Sequence, residues 1–145
     1  MKSEANENLL NAVFRNLPLI ILLVDSERHI VKINNEGIDI SGKQLEDLLG
    51  KGGGDALNCL HALGNPKGCG HSDSCQSCLI RSTVSNSLKY KTDYHKVEAK
   101  LTVVKNGKED ERKVLVSTAF INGREPLVLV SLDDVTNNKE IIALK

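Results

Sequence analysis

Residues 113–136, KVLVSTAFINGREPLVLVSLDDVT, decide the architecture of this chain. Residues 113–120 are rich in apolar and β-branched side chains, Asn122-Gly123 is a turn dipeptide, and 127–132 is a nearly unbroken apolar run. The stretch therefore reads as two antiparallel strands joined by a turn, with Glu125-Pro126 leading into the second. Upstream, Val97, Ala99, Leu101 and Val103 alternate with polar residues, and Lys105-Asn106-Gly107-Lys108 is a strong hairpin signal. This adds a third strand in front, so the last third of the chain is a β meander.

The front of the chain carries a second β block. Residues 19–24 read as a strand buried on both faces, Asp25-Ser26-Glu27-Arg28 as a turn, and 30–33 as the returning strand of a hairpin. Before it, Leu9, Leu10, Val13, Phe14 and Leu17 fall at helical spacing and Pro18 stops the run, which predicts an amphipathic helix. From Asn34 the β signal fades, and Gly37, Gly42 and Gly50 break the chain into pieces that suit brief helices. The expected organisation is a flanking helix over 1–18, one domain over 19–136, and the start of a C-terminal helix over 137–145, with Ile141, Ile142 and Leu144 on its apolar side.

Composition narrows the function. The 145 residues suffice for one core without disulfide staples, and 19 basic residues balance 19 acidic ones. No basic surface is left for a phosphate backbone or an anionic lipid, so neither nucleic acid nor membrane contact is expected. The longest apolar run, 19–24, is too short to span a bilayer, and a soluble cytoplasmic location is expected. Aromatic residues are only Phe14, Phe120, Tyr90 and Tyr94, little material for stacking on a flavin or on bases.

All four cysteines fall within residues 59–81, CLHALGNPKGCGHSDSCQSCLIR. Cys59, Cys69, Cys75 and Cys78 thus form one local cluster, and in a reducing compartment such a cluster points to metal or redox chemistry before a structural disulfide. Asp73 or Ser74 is expected to cap a helix holding Cys75 and Cys78 in its first turn, with Gln76 as capping-box partner and Leu79, Val84 and Leu88 on the buried side. The N–H groups of that turn favour thiolates, and Gly68 and Gly70 let the backbone fold tightly at Cys69. Four thiolates suit tetrahedral zinc or an iron–sulfur cluster, and the spacing does not choose between them. Reversible disulfide chemistry without metal and small buried core residues are the other readings. His61 and His71 are possible alternative ligands, although a packed or loop histidine is the simpler role for each, and His29 and His95 read as strand-surface residues.

Other motifs reduce to ordinary structure. Gly52-Gly53-Gly54 lacks the Lys-Ser/Thr of a phosphate loop and reads as a turn; Arg81 could pair with a thiolate cluster or with Asp73 but reads by default as an exposed helix residue; Glu109-Asp110-Glu111 reads as a solvated hairpin tip. No nucleophile and base are matched, so no catalytic residue is expected.

Two strands, a run of small helices and three antiparallel strands ending in Asp134-Val135-Thr136 form an order that resembles the PAS sensory domain, whose members often end in this tripeptide. Gly54-Asp55-Ala56-Leu57-x-Cys59, Gly68-Cys69-Gly70 and Cys75-x-x-Cys78-x-x-Arg81 resemble a four-cysteine PAS subgroup of sensor histidine kinases and related regulators. The resemblance implies an α+β fold, a five-stranded antiparallel sheet with short helices on one side and a flanking N-terminal helix. It implies redox or oxygen sensing by a metal centre on Cys59, Cys69, Cys75 and Cys78, with an iron–sulfur cluster ahead of zinc or a metal-free reversible disulfide. Asp134, Val135 and Thr136 would pass the signal to a downstream domain or kinase, and the N-terminal helix would pack in a homodimer. No kinase motif is present, so the chain reads as a non-enzymatic input module. The rival readings are a small-molecule-binding PAS module with a zinc- or disulfide-stapled loop, and a dimerisation scaffold.

Overall fold

A computed structural model describes residues 2–63 and 78–136. A helix, α1 (Lys2–Asn16), leads into the hairpin β1 (Ile20–Val24) and β2 (Ile30–Ile33). Four short helices follow, α2 (Asn35–Ser41), α3 (Leu45–Leu48), α4 (Gly53–Ala56) and α5 (Leu60–Leu63). A longer helix, α6 (Leu79–Tyr90), precedes β3 (Tyr94–Lys105), β4 (Lys108–Asn122) and β5 (Pro126–Asp134). The five strands make one sheet in the order β2-β1-β5-β4-β3, every neighbouring pair antiparallel. The expected fold class holds.

Sheet order follows from burial. Residues 20–24 are apolar at every position and, with β2 on one side, need a partner on the other. β5 supplies it, with Leu22 opposite Val130 and Ile20 opposite Leu132. The terminal strand thereby becomes the centre of the sheet, and Leu22, Val24, Val116, Val130 and Leu132 are all buried in the core beneath the helices. The β3–β4 turn is local in origin: Asn106 and Gly107 both have positive φ, 53° and 76°, as a two-residue hairpin that follows strand twist requires.

Asn34 joins the first hairpin to the helices. It is 0% exposed and caps α2 by accepting from the Gly37 amide at 3.1 Å. The same oxygen accepts from the Ile21 amide at 3.0 Å, while its side-chain nitrogen donates to the carbonyls of Leu19 at 2.6 Å and Leu17 at 3.3 Å. One buried side chain therefore fixes the exit of α1, the start of β1 and the start of α2. Within the same helical layer, α6 packs on β3, β4 and β5, and the buried Ser87 and Thr118 hydroxyls hydrogen-bond to each other between α6 and β4.

Several local expectations change. Gly52–Gly54 is not a plain turn: Gly52 precedes α4, its amide donates to the Asp55 carboxylate at 3.0 Å, and its backbone bridges to His29. β4 starts at Lys108, so Glu109, Asp110 and Glu111 are exposed as expected but lie within a paired strand. Leu79 was expected on the buried side of its helix and is exposed, whereas Val84 is buried. Leu9, Leu10 and Val13 of α1 are 63%, 67% and 48% exposed, so the apolar face of that helix does not cover the core. Phe14 is half-buried, its ring 5.0 Å from the Lys32 ammonium, which also donates to the Asn11 side chain at 2.6 Å. The helix expected over 137–145 lies outside the described residues.

Candidate functional site

A cavity of about 180 Å³ lies between the sheet and the helices α4 to α6. Its sheet wall is Leu22 and Val24 of β1, Leu101 of β3, and Val130 and Leu132 of β5. Its helical wall includes Leu57, Ala62, Ile80 and Val84. Among the described residues, its polar groups come from the Gly52–Gly54 backbone, the β1–β2 turn residues Glu27, Arg28 and His29, and Arg81 on α6. Cys59 and Cys78 also line the space.

The two cysteines arrive from different elements. Cys59 lies just before α5, where its amide donates to the Gly54 carbonyl at 2.9 Å and its backbone bridges to Val103 of β3. The preceding Asn58, with φ of 57°, accepts from the Val104 amide at 2.9 Å and donates from its side chain to the Ser41 carbonyl at 3.2 Å. Cys59 is thus buried and held against the edge of the sheet. Cys78 was expected within the first helical turn and is instead the N-cap of α6, with extended φ and ψ of −71° and 117°. The reason is in the backbone: the Cys78 carbonyl accepts the first intrahelical bond, from the Ser82 amide at 2.9 Å, which is the property of a cap residue. Its side chain makes no capping hydrogen bond.

Both cysteines face one cavity. Cys69, Cys75 and His71 lie outside the described residues, as do Asp73, Ser74, Gln76 and the side chain of His61. Among the described residues no three His, Cys, Asp or Glu side chains come together.

Arg28 and His29 are cavity residues that sequence reasoning missed, and Arg81 is one that it set down as an exposed helix residue by default. The Asp25 carboxylate accepts from the amides of Glu27 and His29, both at 2.9 Å, and Arg28 between them adopts a left-handed φ of 66°. This turn swings Arg28 across to α6, where its guanidinium donates to the Ser85 hydroxyl at 3.4 Å. His29 is paired through its backbone with Gly52 and stands 3.6 Å from the Glu27 carboxylate. Arg81 is not an exposed helix arginine; it borders the cavity with its Nε shielded from solvent. For Arg81 the cue was its place in the cysteine motif; for Arg28 and His29 it was Asp25 as an Asx-turn residue, which says nothing about what lies below the turn.

The Asp134-Val135-Thr136 end of the sheet is bolted to β4. Val135 is buried and its amide donates to the Lys113 carbonyl at 2.9 Å, while the Lys113 amide donates to the Thr136 hydroxyl at 2.8 Å. That hydroxyl donates to the Asp134 carboxylate at 2.6 Å, and the other carboxylate oxygen accepts from Arg112 Nε at 2.9 Å. Partial burial works against the Asp134 charge, but the Arg112 and Thr136 hydrogen bonds outweigh it and hold this carboxyl below its ordinary pKa. A depressed carboxyl pKa stabilises the fold above the unfolded value near about 4 and loses that contribution as pH falls through the folded value. Asp134→Asn is therefore expected to lower stability by roughly 1 kcal/mol at neutral pH. Melting curves of the two proteins should converge in acid, and a gap that persists at the lowest pH would show that the charge is not what holds the bolt.

No protein-family model matches the sequence, and no curated protein does. Solved structures match over most of its length. The PAS domain of a Colwellia psychrerythraea protein is similar at a TM-score of 0.63 and 15% identity, covering 92% of this chain and 99% of that one. The PAS domain of Bordetella pertussis BvgS is similar at 0.62 and 15%, over 96% and 93%. A PAS domain from a two-component sensor histidine kinase is similar at 0.61 and 10%, over 91% and 98%. At such identities the likeness is one of architecture, and it agrees with the strand order and the sheet–helix cavity described above. The chain has the PAS fold.

Proposed function

We propose that this chain is the sensory input module of a signalling protein, reading redox state or oxygen through an iron–sulfur centre held by Cys59, Cys69, Cys75 and Cys78. The observation that carries the reading is that Cys59 and Cys78, at the two ends of the cysteine segment, line the same cavity. Cysteine sulfur is the soft donor that such a centre takes. When bound, the centre supplies a reversible change of oxidation state or its own loss. The chain supplies the mechanical response. Cys59 is anchored to β3, and Cys78 starts α6, which packs across β3, β4 and β5. A tie between the two cysteines constrains α6 on the sheet, and releasing it shifts the population of packings felt at Asp134, Val135 and Thr136.

The output follows from the fold's company. One structural neighbour comes from a two-component sensor histidine kinase, so a kinase or similar effector downstream of Thr136 is the natural recipient. The exposed Leu9, Leu10 and Val13 face of α1 offers an apolar surface to a second copy, which supports a homodimer. No helix among the described residues is long and apolar enough to cross a membrane, and thiols kept reduced suit a cytoplasmic site. The apolar cavity favours a second reading, a small-molecule sensor in which the cysteines staple a loop through zinc or a disulfide.

The test is iron, zinc and acid-labile sulfide content of anaerobically purified protein, with visible spectra before and after air. Iron with sulfide and an air-sensitive brown colour is the expected result, lost in the Cys75→Ser/Cys78→Ser protein together with redox control of the effector. Stoichiometric zinc without colour would move the reading to the cavity.

A further inference from the structure

We infer that Asn122 is a site of spontaneous covalent modification, its side-chain amide closing on the Gly123 nitrogen and giving, after hydrolysis, an isoaspartyl residue at the entrance to β5. The reaction needs no metal at the cysteines and stands or falls separately from the redox reading. The backbone nitrogen of the following residue bonds to the Asn side-chain carbonyl carbon, its proton goes to the departing amide nitrogen, and ammonia leaves. Water then opens the cyclic imide. When it adds at the old backbone carbonyl, the chain runs on through the side-chain carboxyl and the former backbone carbonyl becomes a free carboxylate. Glycine in the second position hinders the first step least, because it has no Cβ. The sequence holds two Asn-Gly pairs, 106–107 and 122–123, and all four residues are exposed.

The turns separate the two pairs. Ring closure swings the Gly nitrogen beside the Asn side chain and so rotates the Asn backbone, which a turn hydrogen-bonded across its ends resists. Asn106 and Gly107 sit in such a turn, with φ of 53° and 76° and with Lys105 paired to Lys108 across it. Residues 123–125, by contrast, bend without a hydrogen-bonded turn. Along β4 the even-numbered residues direct their backbone groups toward β3, as the Phe120 amide bonded to Asp93 does, and the odd-numbered ones toward β5, as the Lys113 carbonyl bonded to Val135 does. Asn122 is even, so its own peptide groups point away from β5, past Thr118, where the β3–β4 register has already ended. The rotation at Asn122 therefore breaks no ladder bond to β5. Since β5 is the central strand, the new carboxylate and the lengthened backbone fall at the turn that feeds the middle of the sheet.

The experiment holds the full chain in mildly alkaline buffer for several weeks, digests samples over time and follows both Asn-Gly peptides by mass spectrometry. Methyl transfer from S-adenosylmethionine by an isoaspartate-specific carboxyl methyltransferase is the second readout. In the folded protein Asn122 should convert at least about five-fold faster than Asn106, with methyl acceptance growing at the same pace. In urea, where both turns open, the two rates should draw level. Gly123→Ala should slow conversion at Asn122 by on the order of ten-fold. Alanine fits there, because Gly123 is not left-handed and an added Cβ would come no closer than 3.7 Å to the Glu125 carbonyl. Asn106 converting as fast as Asn122, an unmodified Asn122, an unchanged rate in the Gly123→Ala protein, or the same preference in urea would each overturn the assignment.

Discussion

Replacing Asn34 by alanine is expected to cost about 3 kcal/mol or more, a large part of the roughly 5–15 kcal/mol that holds a domain of this size together. The side chain is fully buried and serves four backbone groups: the amides of Ile21 and Gly37 and the carbonyls of Leu17 and Leu19. Removing it leaves donors and acceptors that water reaches poorly, and each such orphan costs about 1–3 kcal/mol before relaxation. Loss of the α2 cap accounts for only about 1 kcal/mol of this, since the larger part comes from freeing the entry of β1. The adjacent Asn35 provides the control. It is exposed and its side chain reaches only Asn16 at 3.5 Å, so Asn35→Ala should stay within about 0.5 kcal/mol of the parent. Urea unfolding of both variants measures the difference, and equal midpoints would show that the buried network is not what secures the hairpin.

Leu48→Ala is expected to destabilise by about 3–5 kcal/mol, and Leu132→Ala by only about 2–3 kcal/mol, although both side chains are buried. The difference comes from what surrounds them. Leu48 is 0% exposed, is the one buried residue of α3, and is held by flanking backbone bonds from Ile30 to Lys51 at 2.7 Å and from Gly50 to Ile30 at 2.8 Å. Its neighbours cannot collapse inward, so the vacated space persists and its lining loses contacts outright. Leu132 already borders the cavity, so part of its surface has no packing partner to lose. Paired urea titrations with equal or reversed losses would mean that the cavity is filled or closed in solution.

Much of the fold was legible because its determinants are local. Alternation at Val97, Ala99, Leu101 and Val103, the Asn106-Gly107 turn and the apolar run 127–132 specify strands and hairpins from neighbouring residues alone. Gly42 and Gly50 separate short helices as expected, Gly42 ending α2 with a left-handed φ of 68°, whereas Gly37 lies buried inside α2 instead of breaking the chain. The solvated Glu109 to Glu111 side chains and the closing position of Asp134, Val135 and Thr136 were also foreseen, the latter through resemblance. Cys78 was displaced by a few residues because helix starts depend on cap geometry that composition constrains weakly.

What only the tertiary structure decided is what lies against what. Pairing of β1 with β5 joins opposite ends of the chain, and no local pattern encodes that choice. It is this pairing that carries the Asp25–Arg28 turn over α6 and makes Arg28 and Arg81 neighbours of one cavity. Asn34 reads in sequence as one more polar residue after a strand, yet it is the buried node of three elements because its amide meets backbone groups from both sides. The sequence alone determined the strands, the turns and a single cysteine-bearing segment, since these follow from short-range sterics and hydrophobic period. The cavity, its cationic rim and the shared outlook of Cys59 and Cys78 arise from long-range burial, where the partner is set by the whole sheet closing over its core.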